Sequence, residues 1–314
     1  MNTVIRRQAR KSRPGPIVWG VDPSPGDTAL QRRTLKAITA VWHGDDVSIE
    51  PVCVVTGGWR EADHRLAEQR ALERAIAAAR EPNVTTLTLL EQERHSLSGS
   101  VETLLGHARD RGARVIAVST HARTRLARLA LGSFAETLLL RSEIPLLVVN
   151  PSAAGAATGP PRRLLFPTDF SAGSRRAFLD MLPLARRNSA RVTLFCQFEY
   201  LSPDTSGQIH ASAIHQQFFK KDLAARRKKA ESWAGVAARA GVTVDVAISQ
   251  EPGFVPDAIL AKAASTRAGL IAIASQSGVV AATLLGSVVR RVVREAPCPV
   301  WVIHPGPGRA RAAR

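Results

Sequence analysis

The feature that most constrains the fold of this chain is a stretch of about 35 residues that occurs twice. The copies span residues 115–150 and 270–304, and each consists of an apolar run, a small-residue loop, Leu-Gly-Ser, a helical segment, a Pro and a second apolar run. The glycines of the two tripeptides, Gly132 and Gly286, lie 154 residues apart. A period this long indicates a duplicated domain, because solenoid and propeller repeats recur every ~20–50 residues.

Apolar runs alternate with longer amphipathic segments in both halves of the chain. The runs are short and rich in Val and Ile, as is typical of buried strands in a parallel sheet. Strands that alternate with helices predict an α/β fold, here two tandem doubly wound domains with five-stranded parallel sheets. The final predicted strands, 146–150 and 300–304, are apolar and follow a Pro. We expect them to pair across a pseudo-two-fold axis, because pairing would bury two otherwise open sheet edges.

The length of 314 residues is enough for two domains. We predict a basic tail at 1–14, a first domain at 15–151, a linker at 152–162, a second domain at 163–306 and a second basic tail at 307–314. The linker is rich in Ala, Gly and Pro, which is typical of a spacer. Both tails carry charge without an apolar partner, so we expect them to be disordered.

The formal net charge is +17, and eight of these positive charges lie in the two tails. Basic tails attract polyanions without forming a specific site. The sequence shows no basic face with interleaved aromatic side chains, which a dedicated nucleic-acid site would favour. We therefore predict only non-specific contact with nucleic acid, through the tails.

Several classes of protein are excluded by what the sequence lacks. No apolar run approaches the ~18 residues of a membrane-spanning helix, so no membrane segment is predicted. The three cysteines lie in or beside predicted buried strands, where they are expected to pack as small apolar residues without disulfides. These features favour a cytoplasmic protein. The motifs GxxxxGK(S/T), CxxC and HExxH are absent, so neither a P-loop nor a metal site is predicted.

Two Gly-Ser pairs lie where a loop enters a predicted helix, Gly132-Ser133 in the first half and Gly286-Ser287 in the second. The first backbone N–H groups of a helix are unpaired and can hold an anion. An ordinary helix cap is equally consistent with the sequence, since Ser133 and Glu136 have the spacing of a capping box. Arg290 stands at the position of Glu136 in the second half, where a solvated side chain is the simpler interpretation.

Asp22 and Asp169 each close the first predicted strand of their half. An Asp at such a place often bonds to the backbone of the turn that follows. The carboxyl ends of parallel strands are also where ligands bind in doubly wound folds. We favour the ligand role because the Asp recurs in both halves.

Three features of the chain resemble the universal stress protein family in its tandem two-domain form. They are PTDFS at 167–171, the succession of strand, small loop, Leu-Gly-Ser and helix, and APCPVWVI at 296–303 with a weaker echo at 144–149. Together they cover nearly all of residues 15–306. The resemblance implies a domain fold of the adenine nucleotide alpha hydrolase kind. Members of the family pair through their last strand, which implies an intramolecular pseudo-dimer here and leaves a homodimer of the whole chain open.

The resemblance also implies a ligand and its contacts. In nucleotide-binding members the Asp that matches Asp22 and Asp169 contacts the adenosine part of the ligand. A residue near the adenine matches Val54 in the first half and Gln197 in the second. The family's phosphate-binding pattern is Gly-x-x-Gly-x9-Gly-Ser/Thr, whose glycines let the backbone approach the phosphates. The implied phosphate contacts are Ser119, Thr120, Ala122, Arg123, Gly132 and Ser133 in the first half and Gly286 and Ser287 in the second.

The chain departs from this pattern in both halves. Ser119 and Ala122 replace the first two glycines of the first half. In the second half the matching segment 274–278 makes the loop one residue short, and no basic residue lies between it and Gly286. The first-half loop contains three arginines between residues 123 and 128, which can meet phosphate through charge-assisted hydrogen bonds. We therefore predict that any ATP binds mainly in the first half.

The function implied by the resemblance is a non-enzymatic, stress-response binding or signalling module for ATP or another adenine nucleotide. The alternative is a scaffold or interaction protein whose nucleotide sites have decayed. A slow ATP hydrolase is the least favoured hypothesis, because no residue is spaced to act as a base for water.

Overall fold

The computed structural model describes residues 15–22, 28–44, 46–56, 70, 73, 81–92, 96–120, 133–153, 159–198, 213–275 and 287–304. Both predicted tails and the centre of the predicted linker lie outside these ranges. The first half contains β1 (Ile17–Gly20), α1 (Thr28–Val41), β2 (Ile49–Thr56), β3 (Thr88–Gln92), α2 (Leu97–Asp110), β4 (Val115–Ser119), α3 (Ser133–Arg141) and β5 (Leu146–Val149). The second half contains β6 (Arg163–Pro167), α4 (Ala172–Arg187), β7 (Arg191–Gln197), α5 (Ala213–Arg239), β8 (Val244–Ser249), α6 (Val255–Ser265), β9 (Leu270–Ala274), α7 (Ser287–Glu295) and β10 (Val300–Ile303).

The described strands form one sheet in the order β3-β2-β1-β4-β5-β10-β9-β6-β7-β8. Every pair within a half is parallel, and the pair β5–β10 that joins the halves is antiparallel. Each half therefore has the doubly wound arrangement of five parallel strands that the alternating pattern predicted. The predicted pairing of the two final strands is confirmed.

A pseudo-two-fold axis passes through the pair of central strands. Leu147 of β5 lies opposite Trp301 of β10, and these residues occupy equivalent positions, 154 residues apart. Trp301 also contacts Trp42, which follows α1, in an edge-to-face arrangement with 6.0 Å between ring centroids. Such aromatic pairs contribute ~0.5–1.5 kcal/mol beyond the apolar area that they bury. The two halves are thus joined through strand pairing and through side-chain packing.

Helices cover the sheet on both faces, which explains why its strands are apolar almost throughout. Alternate residues of β1 point to opposite faces, so that Trp19 packs in one core and Val18 in the other. One core includes residues of α1, α4 and α5, and the other includes residues of α2, α3, α6 and α7. None of the described helices combines the length and the apolar character that a membrane span requires.

Candidate functional site

A cavity of about 630 Å³ lies at the carboxyl ends of β6, β7 and β9. β6 and β9 are neighbours in the sheet, and the chain leaves β6 toward β7 on the other side. Ligands of doubly wound folds bind at this kind of switch point, and the volume is typical of a small-molecule site. The wall is formed by Pro167, Thr168, Asp169, Ser171, Gly173, Ser174, Phe195, Gln197, Phe198, Phe219, Asp222, Arg226, Val255, Ile259, Ile273, Ala274, Ser275, Val288 and Val289.

Asp169 stands where β6 turns into α4, and the turn is built from its own hydrogen bonds. Its Oδ1 accepts from the backbone N–H of Ser171 at 2.9 Å and from Oγ of Ser174 at 2.6 Å. Ser171 in turn caps α4, because its hydroxyl accepts from the backbone N–H of Ser174. The backbone of Phe170 between them is left-handed, with φ of 59°. The turn role that the sequence left open for Asp169 is therefore observed. The hydrogen bonds from Ser171 and Ser174 to its carboxylate both use Oδ1.

The carboxylate of Asp169 is ionised at neutral pH. Partial burial by itself raises the pKa, but the hydrogen bonds from Ser174 and Ser171 outweigh burial and lower the pKa below its usual value. An ionised carboxylate accepts hydrogen bonds and donates none. Asp169 can thus receive hydroxyl groups of a ligand, and such charge-assisted bonds are stronger than neutral ones.

Gln197 ends β7 beside Asp169 and presents an acceptor. Its Nε2 donates to the backbone carbonyl of Glu251, and a carbonyl can only accept, so the orientation of the amide is settled. Its Oε1 is buried and has no hydrogen-bond partner among the described residues. A buried acceptor without a partner is costly, and an amino group of a ligand would satisfy it once the side chain turns Oε1 toward the cavity.

Sequence reasoning missed one wall of the cavity, which α5 provides. The basic run from 220 to 229 is typical of a solvated helix face, and most of its charged side chains are exposed. Arg226 nevertheless lines the cavity, where its Nε donates to Oδ2 of Asp222 at 3.1 Å and its guanidinium lies 4.9 Å from the ring centroid of Phe198. Phe219 packs on Phe198 at 4.6 Å. The spacing of 219, 222 and 226 places them on one helix face and was the available signal.

The second predicted group of site residues in this half is only partly described. Ser287 is exposed and begins α7, and Val288 and Val289 behind it line the cavity. Gly286 lies outside the described residues. Arg290, for which solvation was the simpler interpretation, donates through Nη1 to Glu136 of the first half at 3.1 Å.

In the first half the fold brings four predicted residues to one edge of the sheet. Asp22 follows β1, Val54 lies in β2, and Ser119 and Thr120 end β4, and these strands are neighbours. Their carboxyl ends therefore meet at one edge of the sheet. Ala122, Arg123 and Gly132 lie outside the described residues.

Ser133 and Glu136 differ from the capping box that their spacing suggested. α3 begins at Ser133 itself, and the carboxylate of Glu136 accepts from Arg290 of the other half. Glu136 is thus engaged with the other half of the chain. A helix cap and an anion site both stay predictions for this Gly-Ser pair. The described residues contain no cluster of three or more His, Cys, Asp or Glu side chains that could hold a metal ion.

The fold defines a doubly wound α/β protein, and a cavity of small-molecule size lies at the switch point of its sheet. The sequence profile of the universal stress protein family matches twice, at residues 15–150 and 161–304. The chain belongs to this family, in tandem two-domain form. The ends of the two domains predicted above stay predictions.

Solved structures show the same fold over almost the whole chain. A universal stress protein from Archaeoglobus fulgidus DSM 4304 is 19% identical, with a TM-score of 0.64 over 94% of this chain and 100% of its own. A protein of unknown function from Pseudomonas aeruginosa PAO1 is 14% identical, with a TM-score of 0.64 over 93% of this chain and 94% of its own. Among curated proteins, none matches this sequence.

Proposed function

We propose that the protein is a stress-response binding module whose second-half cavity holds an adenine nucleoside or nucleotide. The observation that supports this most directly is the placement of Asp169 and Gln197 on one cavity wall. The ionised carboxylate of Asp169 suits the hydroxyl groups of a ribose. The unpartnered Oε1 of Gln197 suits an exocyclic amino group, which adenine has.

The apolar part of the wall suits the base itself. Phe195, Ile273 and Val289 are buried side chains that line the cavity beside these polar groups. Pockets for small molecules typically combine an apolar lining with a few polar groups that fix orientation. Desolvation of a planar base against such a wall is favourable at roughly 25 cal/mol for each Å² of apolar surface buried.

The first half is a second candidate site of the same kind. Asp22, Val54, Ser119 and Thr120 lie at or near the carboxyl ends of neighbouring strands there. The arginines between 123 and 128, which led us to predict ATP mainly in this half, lie outside the described residues. A cytoplasmic location and a role in signalling through a bound ligand belong to the same proposal.

Calorimetry on three proteins tests the proposed site. Asn at position 169 can still accept the turn hydrogen bonds, so Asp169→Asn removes the charge and keeps the cap. We expect adenosine or AMP to bind the wild type and to bind Asp169→Asn about fivefold more weakly, since bonds to a charged acceptor contribute roughly 1 kcal/mol more than neutral ones. Gln197→Leu should weaken the binding of adenosine but not the binding of inosine, which lacks the amino group.

Asp245→Asn is the matched control. It removes an exposed carboxylate of β8 that pairs with Arg191 at 2.8 Å and does not line the cavity. Equal losses of affinity for adenosine or AMP in Asp169→Asn and Asp245→Asn would show that the cavity is not the binding site. If the wild type binds no adenine compound at millimolar concentration, the protein is a scaffold whose sites have decayed.

A further inference from the structure

We infer that the second-half cavity selects an uncharged or singly charged nucleoside compound over a nucleoside triphosphate. The inference rests on the proposed function and names the class of ligand. It is carried by the charges around the cavity, since the volume of about 630 Å³ leaves room for phosphate groups. A triphosphate needs cations or closely spaced N–H donors to offset its charge, and the described wall of this cavity carries a net negative charge.

Among the described residues that line the cavity, carboxylates outnumber cations. Asp169 and Asp222 supply two negative charges, and Arg226 supplies one positive charge. The guanidinium of Arg226 is already engaged, because it bonds to Asp222, lies over Phe198 and donates to Sγ of Cys196 at 3.5 Å. A phosphate would have to compete with an ion pair that is present before the ligand arrives.

Two cations on helices that border the cavity are held by groups outside it. Lys229 follows Arg226 on α5, and its Nζ donates to the backbone carbonyl of Phe170 at 3.4 Å. Arg290 is the first cation of α7, and it pairs with Glu136 of the first half at 3.1 Å. Neither residue belongs to the cavity wall. The helix end of α7 offers only about half an elementary charge to an anion.

The segments that continue the chain from the cavity add no positive charge. Residues 199–212 follow β7 and residues 276–286 follow β9, two strands whose carboxyl ends border the cavity. The structure does not describe these segments, but their sequences contain neither Lys nor Arg. The first of them adds Glu199 and Asp204. Whatever conformation they adopt, they cannot supply Lys or Arg side chains to a triphosphate.

Calorimetry at low ionic strength with adenosine, AMP and ATP on the full chain tests this inference. Binding is assigned to the second half by the weaker affinity of Asp169→Asn. At that site we expect adenosine to bind at least about tenfold more tightly than ATP, with AMP between them, because like charges repel across a partly desolvated cavity. Asp222→Asn removes one carboxylate and releases Arg226. It should therefore lower the ratio of the ATP dissociation constant to the adenosine dissociation constant by about tenfold. Asp245→Asn removes a carboxylate outside the cavity and should leave the ratio unchanged.

Three results would overturn the inference. ATP that binds more tightly than adenosine at the site sensitive to Asp169→Asn would contradict it and leave the proposed function standing. An unchanged ratio in Asp222→Asn, with the fold confirmed by circular dichroism, would show that charge is not what discriminates. Absence of binding by all three compounds would remove the proposed function and this inference together.

Discussion

Glu136 and Arg290 occupy equivalent positions in the two halves, 154 residues apart, and their side chains form an ion pair with each other at 3.1 Å. Each lies in the first turn of its helix, α3 or α7. In a strictly symmetric pair of domains the two residues would be identical and their charges would repel. The duplicated sequence has diverged here, so that contact across the pseudo-axis is attractive. Glu136 also offsets the unfavourable position of a cation near the N-terminus of α7.

A double-mutant cycle measures this pair. We expect Glu136→Ala, Arg290→Ala and the double variant to show a coupling of about 0.2–1 kcal/mol in the free energy of unfolding, because both side chains are largely exposed and screened by solvent. Urea denaturation is the measurement. The pair Arg191–Asp245, which lies within the second half at 2.8 Å, is the control. Salt should reduce both couplings, and a coupling of zero at low salt would exclude a stabilising role for the contact.

Asn150 joins the halves more strongly, since it is fully buried. Its Nδ2 donates to the backbone carbonyls of Val293 and Ala296 at 2.9 and 3.0 Å, and its Oδ1 accepts from the N–H groups of Ser152 and Ala153. We expect Asn150→Ala to lower the free energy of unfolding by roughly 2–4 kcal/mol, because it leaves several buried groups without partners. Thermal and urea unfolding are the measurements.

Two further variants test that explanation. Asn150→Asp keeps the acceptor and removes the donor, so it should also destabilise the protein. Ser152→Ala truncates an exposed side chain while the backbone hydrogen bond to Asn150 stays, so it should change the stability by less than about 0.5 kcal/mol. A similar effect of Asn150→Ala and Ser152→Ala would mean that these bonds contribute little.

His304 stands at the position equivalent to Asn150 and makes the stability depend on pH. Both ring nitrogens are buried without a hydrogen-bond partner among the described residues, and burial lowers the pKa from 6.5 to about 4. The unfolded chain takes up the proton first, so stability is complete above about pH 6.5 and is lost as the pH falls toward 4. The loss amounts to at most roughly 3 kcal/mol.

Urea denaturation between pH 4 and pH 7.5 on the wild type and on His304→Asn checks this sign and size. The wild type should lose more stability on acidification than the variant. His43→Asn removes an exposed histidine and should keep the pH dependence of the wild type. Parallel curves for the wild type and His304→Asn would contradict the assignment.

The three cysteines should be unreactive in the folded protein. Cys53, Cys196 and Cys298 are buried and form no disulfide, and burial raises the pKa of Cys298 to about 12 and that of Cys196 above its usual value. Only the thiolate is nucleophilic, so neither access nor ionisation favours reaction. We expect no labelling by iodoacetamide at pH 8 in the native state and three labels after unfolding, counted by mass spectrometry. Rapid labelling of one native cysteine would identify a locally open segment.

The pattern of residues along the chain was enough to predict the strands of each half and the doubly wound class of fold. Buried parallel strands are apolar on both faces, so β4 and β9 stood out as short runs, and duplication showed that both halves shared one arrangement. The pairing of β5 with β10 followed from the need to cover two apolar edges. These features depend on local periodicity and on burial, and every residue of a strand contributes to that pattern.

Contacts between distant side chains could be found only in the folded molecule. The meeting of Glu136 with Arg290, and the placement of Arg226 between Asp222 and Phe198, depend on how helices pack across the sheet. A charged residue has the same local pattern whether it faces solvent, a cavity or a partner in the other half. Its surroundings are set by elements far away in the chain, and for that reason the acidic character of the cavity emerged from tertiary structure and not from any motif.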